Sequence, residues 1–281
     1  MMRTLFLVGP EAGQGAALRV WRRVERLALE QGLYDWVAPA SDQEARRIAR
    51  EAVAAGIHRV VVVGGDNTLE AVAAELAFTD SALGMIPAVS GSDFCPSAGI
   101  PRDTAVAFAI ATGQHTSRVD LGVAAGGYRF LNVAGALFRA EAGTYSMQLP
   151  SRSQRLFPAL AALAQYRPVS VEIRVDDQTH RGEVMLVAVA NGPQCGGGMR
   201  IAPGARRDDG LLDVCIVGGM SRTELVRILP GLYRGEHVNH PKVRMMQGRE
   251  VHLRPWAREG AEACSFGVEP GALAMALPRQ A

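Results

Sequence analysis

Residues 60–76 read VVVVGGDNTLEAVAAEL, and the turn inside them carries more chemistry than any other stretch of the chain. Four valines suit a strand buried on both faces, as in a parallel sheet. Gly64 and Gly65 leave the backbone bare enough to approach a bulky anion. The Ala/Leu/Glu-rich run that follows suits a helix, whose first N–H groups can hold phosphate. Asp66 is the odd member, because a carboxylate beside a phosphate repels it unless a metal or a reacting hydroxyl lies between. That points to Mg2+ organisation or proton acceptance in phosphoryl transfer. The plainer alternative is a βα turn with Asp66 as helix N-cap. Asn67 tolerates left-handed backbone and could replace a third glycine.

A second small-residue loop lies in LGMIPAVSGSDF, residues 83–94, where Ser90, Gly91 and Ser92 precede Asp93. It could line the same cleft, or be a surface turn. A third feature is NGPQCGGGMRIAPGARRDDGLLDV, residues 191–214. Three consecutive glycines make this a loop. Asp208, Asp209 and Asp213 around Gly210 could offer carboxylates and carbonyls to a hard cation, or form an acidic turn before a strand.

The surrounding pattern must position these loops. RTLFLVGP, YDWVAPA, HRVVVVGGDN and ALGMIPAVSGSDF read as strands leading into loops. Between them, AALRVWRRVERLALEQGL, SDQEARRIAREAVAAG and TLEAVAAELAF read as helices, the second capped by Ser41 or Asp42. Strands alternating with helices imply a parallel sheet with right-handed crossovers. Open sheets of this kind bind ligands at the carboxyl ends of their strands. From about residue 118, strand follows strand with few helices, so the second domain is expected to be mainly antiparallel.

Bulk numbers exclude several classes. A chain of 281 residues with 48% hydrophobic and 21% charged residues is an ordinary globular composition. A net charge of +2 gives no case for nucleic acid. Cys95, Cys195, Cys215 and Cys264 are far apart, without zinc spacing, and read as reduced thiols. No run approaches the ~20 apolar residues of a membrane span.

With its motifs in order, the sequence resembles the diacylglycerol kinase-type lipid kinases, which include bacterial lipid kinases and sphingosine kinase catalytic domains and are distant relatives of NAD kinase. The family's GGDGT turn reads GGDNT here, its Pro-x-x-Gly-x-Gly loop reads PEAGQG with Gly13 and Gly15, and its TGNDF loop reads SGSDF. FLNVAG, NGPQCGGGMRIAP and DDGLLD also match, and the likeness runs from residue 4 to 278. It implies α/β plus all-β architecture. A three-layer α/β nucleotide domain would span 1–118, completed by 270–281, and an antiparallel β-sandwich substrate domain 119–269. It also implies ATP, Mg2+ and a lipid acceptor, with the active site between the domains. By position, Gly13, Gly15, Ser41, Gly64, Gly65, Asp66, Asn67, Thr68, Ser90, Gly91 and Asp93 would serve the nucleotide. Asp209, with the carbonyls of Arg206 and Leu211, would hold a structural magnesium. Phe130, Leu131, Phe138 and Met199 are candidate acceptor lining or ordinary core.

The family's Asp-Gly-Glu, which supplies the proton acceptor, is missing. One alignment puts Glu259 and Glu262 in its place; another replaces the aspartate by Gly267 and keeps only Glu269. Three readings follow: a lipid kinase, a weak or inactive relative that binds nucleotide or lipid as a regulator, and a soluble-substrate kinase of the NAD kinase type. The resemblance further implies a cytoplasmic protein, peripheral at the inner membrane face, with a homodimer left open.

Overall fold

The computed structural model describes residues 3–9, 15–33, 35–89, 91–137, 168–255 and 263–279. The chain divides into two units, Met1–Val119 with Gly271–Ala281, and Asp120–Pro270.

The first unit alternates strands and helices: β1 (Thr4–Val8), α1 (Ala16–Glu30), β2 (Trp36–Val37), α2 (Asp42–Ala54), β3 (Arg59–Gly64), α3 (Asp66–Leu76), β4 (Ala82–Pro87), α4 (Phe94–Ser97) and α5 (Thr104–Thr112). The sheet order is β4-β3-β1-β2, all parallel. The valine run is central: Val60 to Val63 pair with Leu5 to Val8 on one side and Leu83 to Ile86 on the other. All six residues of β3 are buried, which explains why the run shows no alternation. A last strand, Cys264–Met275, returns its end to this unit, where Met275 pairs in parallel with Leu83.

From β1 the chain steps outward to β2, then crosses back over β1 to β3. Right-handed crossovers therefore put α1 on one face and α2 and α3 on the other. Accordingly α1 packs with α5, and α2 with α3. The reversal creates a switch point between β1 and β3, and the turns after both strands flank it. Arg59 braces the opposite end. It is only 2% exposed, and its Nη1 donates to the carbonyls of Ala111 (3.1 Å) and Gly113 (2.5 Å) where α5 ends.

The second unit contains most of β5 (Ser117–Ala124), β6 (Tyr128–Phe130), β7 (Val133–Leu137), β8 (Val169–Val175), β9 (Gln178–Ala190), β10 (Leu212–Gly218), α6 (Arg222–Arg234), β11 (Val243–Gly248), β12 (Glu250–Pro255) and most of β13 (Cys264–Met275). Its ladders are antiparallel, in the order β11-β10-β9-β8-β12-β13. Val175 pairs with Gln178, so Asp176 and Asp177 form a two-residue hairpin loop, and Asp176 takes the left-handed φ of 48° that such a turn needs. The Asp176 carboxyl also accepts from the amides of Arg249 and Glu250, holding the connection from β11 to β12 against this turn. One core, including Phe130, Ile173, Val214, Leu253 and Phe266, fills the sandwich. A second, including Met185, Cys215 and Leu225, lies under α6.

Candidate active site

At the switch point the backbones of Gly9 and Gly64 nearly touch. A Cβ built on Gly9 would lie 3.0 Å from Thr68 Oγ1, and one on Gly64 would lie 3.6 Å from Gly9 Cα. The first turn of α3 starts here, with Gly65 as an extended N-cap at φ −116°. The first N–H groups of a helix have no carbonyl partner within it, so the start of α3 presents donors beside bare backbone. Thr68 is buried, and its hydroxyl donates to Asp42 Oδ1 at 2.8 Å, tying α3 to the start of α2.

Asp66 lies in the interior, not on the floor of an open crevice. It is 4% exposed. Its Oδ1 accepts from Ser92 Oγ at 2.5 Å, and its Oδ2 accepts from the amides of Asp93 (2.8 Å) and Phe94 (3.2 Å). Ser92 Oγ in turn accepts from Cys95 N. The GGDNT and SGSDF turns are thus fastened together through Asp66, which corrects the expectation of a carboxylate facing metal. The physical reason is the short helix α4: its first amides need acceptors, and Asp66 supplies one.

Other expectations shift as well. Asn67 is exposed in the first helical turn. It does not take left-handed backbone, because the described non-glycine residues with positive φ are Phe78 and Asp176. Ser41 Oγ accepts from Glu44 N, so that hydroxyl is spent as the α2 N-cap. Gly15 caps α1 with φ 80°, a left-handed value that suits glycine. Gly91 is exposed, and a Cβ on it would meet nothing within 4 Å. Asp93 is buried at the start of α4. Gly13, Ser90, Glu259, Glu262 and Phe138 lie outside the described residues.

In the second unit the acidic loop is held from below. Asp120, 2% exposed, accepts from Gly210 N at 2.8 Å, and its own amide donates to Arg207 O. Gly210 needs its left-handed φ of 69° at this bend. Asp209 Oδ1 accepts from Leu211 N at 3.1 Å, closing the turn, while the Arg206 side chain pairs outward with Asp208. Gln247 Nε2 spans Asp209 and Asp213 at 3.3 and 3.4 Å. Burial, and then the nearby Asp209, push the Asp213 carboxyl up to about 6. No group of three or more His, Cys, Asp or Glu able to hold a metal exists among the described residues. A cation here would therefore depend on backbone carbonyls.

Glu269 on β13 accepts a two-pronged bond from Arg129, at 2.6 Å from Nε and 2.9 Å from Nη2. Gly267 sits opposite Glu250 in the β12–β13 ladder. Phe130 and Leu131 are fully buried, as core residues are, and Met199 is half-buried. His237 is buried, with Nε2 against Ile201 O at 3.1 Å. Asp120 and Asn132 were not singled out in the sequence, and Asp42 only as a possible helix cap. Asn132 Oδ1 accepts from Arg207, and its carbonyl accepts from the amides of Asn191 and Gly192. Each pairs with a residue far along the chain, and no local signal marks that.

An α/β unit with a glycine turn at its switch point, followed by an antiparallel β-sandwich, defines a two-domain kinase-type fold. Residues 3–124 match the diacylglycerol kinase catalytic domain, and residues 133–277 match the YegS C-terminal NAD kinase beta sandwich-like domain. The chain belongs to this family of lipid-kinase-type phosphotransferases. It is 33% identical over 253 residues to a "Probable lipid kinase YegS-like" protein of Pseudomonas aeruginosa, covering 84% of this chain and 82% of that one. It is 30% identical to a "Diacylglycerol kinase" of Mycobacterium tuberculosis, covering 97% and 94%. A solved diacylglycerol kinase structure from Bacillus anthracis superposes with TM-score 0.76 at 23% identity, over 99% of this chain and 97% of that chain, and so shares the fold.

Proposed function

We propose that this protein is an ATP- and Mg2+-dependent lipid kinase that phosphorylates a lipid hydroxyl such as that of diacylglycerol. One observation carries the reading: Gly9 and Gly64 lie side by side where β1 and β3 end, bare of side chains and beside the start of α3. That is a cradle for a phosphate chain, with backbone N–H donors in place of side chains. Gly64, Gly65, Asn67 and Thr68 would bind the phosphates through their amides, with Gly91 leaving room at the rim. Asp66 acts by holding the Ser92–Phe94 turn in register, and Asp42 by orienting Thr68.

Asp209 and the carbonyls of Arg206 and Leu211 would hold the magnesium of the second unit. The donors fit, since all are hard oxygens. Asp213 has no cationic partner among the described residues, and burial, then the like charge of Asp209, raises its pKa. When bound, the ion supplies positive charge that steadies this acidic loop. Glu259 or Glu262 remains the proposed acceptor of the hydroxyl proton.

A second reading, a regulator that binds nucleotide or lipid without transfer, is favoured by two facts. Asp66 is already engaged by Ser92, Asp93 and Phe94, and Glu269 by Arg129. The test is transfer of labelled phosphate from ATP to diacylglycerol and to mixed lipid extract. Transfer that Glu259→Gln or Glu262→Gln lowers by roughly 10²–10⁴-fold supports the kinase and identifies the base. No transfer to any acceptor, with ATP binding intact, leaves the regulator.

A further inference from the structure

We propose that Arg129 is a positioning residue for the acidic loop, acting on it through Glu269 and Pro270. Its consequence for metal binding rests on the magnesium reading of that loop given above. The loop is poor in support of its own. Asp208, Asp209 and Asp213 crowd carboxylates between positions 208 and 213. Asp208 turns outward to Arg206, and Asp209 and Asp213 share Gln247 Nε2. Gly210 bends the chain between them with its left-handed φ of 69°. The bend is held in shape from outside the loop.

Two holds reach Gly210, and both start from one hairpin. Asp120 lies on β5 and Arg129 on β6, and these strands pair antiparallel with Val123 opposite Arg129. The Asp120 carboxyl accepts from Gly210 N at 2.8 Å, and its amide donates to Arg207 O at 2.6 Å. The α-carbon of the same glycine faces Pro270: a Cβ built on Gly210 would lie 3.6 Å from both Cβ and Cγ of the proline. Pro270 directly follows Glu269, whose two carboxyl oxygens accept from Arg129 Nε at 2.6 Å and Nη2 at 2.9 Å. A planar guanidinium that grips both oxygens fixes the direction of the carboxylate as well as its distance. The side chains are 30% and 23% exposed, so the pair is better sheltered than an ordinary surface ion pair. Asp120 and Pro270 are also the first and last residues of the second unit. The two ends of that unit thus meet at one glycine, and the β5–β6 hairpin fixes both.

Charge alone predicts the opposite sign from positioning. Removing a cation near an acidic loop leaves it more negative, so a purely Coulombic Arg129 would oppose Mg2+ and its loss would tighten binding. Positioning predicts that its loss loosens binding, because ligands held less firmly bind a metal less well.

The test is calorimetric titration of Mg2+ into the nucleotide-free full chain. It is paired with metal-free hydrogen exchange of the segment 206–214, read by mass spectrometry. Arg129→Ala is expected to weaken Mg2+ about tenfold. It should also speed exchange of the segment at least about threefold. Arg129→Lys should recover part of both losses, since an ammonium keeps the charge but not the fork; it carries the same comparison if the alanine variant unfolds. Arg129→Glu with Glu269→Arg should bind Mg2+ better than either single change. Lys242→Ala, which breaks the Lys242–Glu224 pair elsewhere in the unit, should match wild type. The proposal is overturned if Arg129→Ala binds Mg2+ as well as wild type or better, or if exchange of the segment is unchanged. The two ideas separate cleanly. Faster exchange in Arg129→Ala, with no Mg2+ binding by wild type, removes the magnesium reading and leaves the clamp standing. Binding that Asp209→Ala abolishes and Arg129→Ala leaves intact removes the clamp alone.

Discussion

Asp66 and Ser92 lie on successive strand-end turns of one sheet, and their side chains meet at 2.5 Å. With the amides of Asp93 and Phe94 on the other oxygen, a single carboxyl joins two loops that are 26 residues apart in sequence. Asp66→Ala would leave three buried donors without their acceptor. The expected loss is about 2–4 kcal/mol in denaturant unfolding. Asp66→Asn should lose less, since the amide oxygen still accepts.

Arg59 offers a test of how β3 and α5 are held together. It is buried without a carboxylate beside it, and burial holds its pKa below the usual guanidinium value. Its partners are carbonyls at the negative end of α5. Arg59→Met should destabilise by about 2–3 kcal/mol, because the Ala111 and Gly113 carbonyls lose their donor. Arg59→Lys should recover only part, since an ammonium is a point donor on a different stem. Melting temperatures of the three proteins check this.

Much of the first unit was legible because its signals are local. The valine run, the Ser41 cap and the glycines after β3 each act within a few residues. β11 leaves a weak local signal, since VRMMQG has little alternation and follows Pro241 and Lys242. β2 shrank to Trp36 and Val37, because pairing with β1 covers only two residues. The direction of Asp66 could not be read from its turn. It depends on where β4 delivers Ser92, and only the assembled sheet decides that. Asp120 and Gly210, 90 residues apart, are invisible to any pattern search for the same reason.

The acidic loop should carry a pH signature. Asp213 is raised from 3.8 to about 6 in the folded state, so the fold binds its proton more tightly than the unfolded chain does. Its ionisation therefore costs nothing below about pH 4, and the cost grows between pH 4 and 6 and is complete above. Asp213→Asn should stabilise by about 1–2 kcal/mol at pH 8, after discounting for solvent screening, and by nothing at pH 4. Mg2+ should raise the wild-type melting temperature at pH 8, and Asp209→Ala should abolish that rise.

His237 gives the opposite dependence. Burial holds its pKa below 6.5, outweighing the Ile201 carbonyl bond. The unfolded chain then takes up the proton first as pH falls. Stability from the neutral ring is full above about 6.5 and declines below it. His237→Gln should flatten the fall in melting temperature between pH 6.5 and 5.

The central claim is that the turns at the switch point grip the phosphates of ATP through bare backbone. Gly91 gives the cleanest probe, because it is exposed and a Cβ added there meets nothing within 4 Å beyond its chain neighbours. Calorimetric titration of an ATP analogue with Mg2+ into wild type and Gly91→Val is the direct measurement. Binding by wild type that weakens at least about tenfold in the variant, at unchanged melting temperature, is the predicted result. Equal affinity in both proteins, or none in wild type, would contradict it.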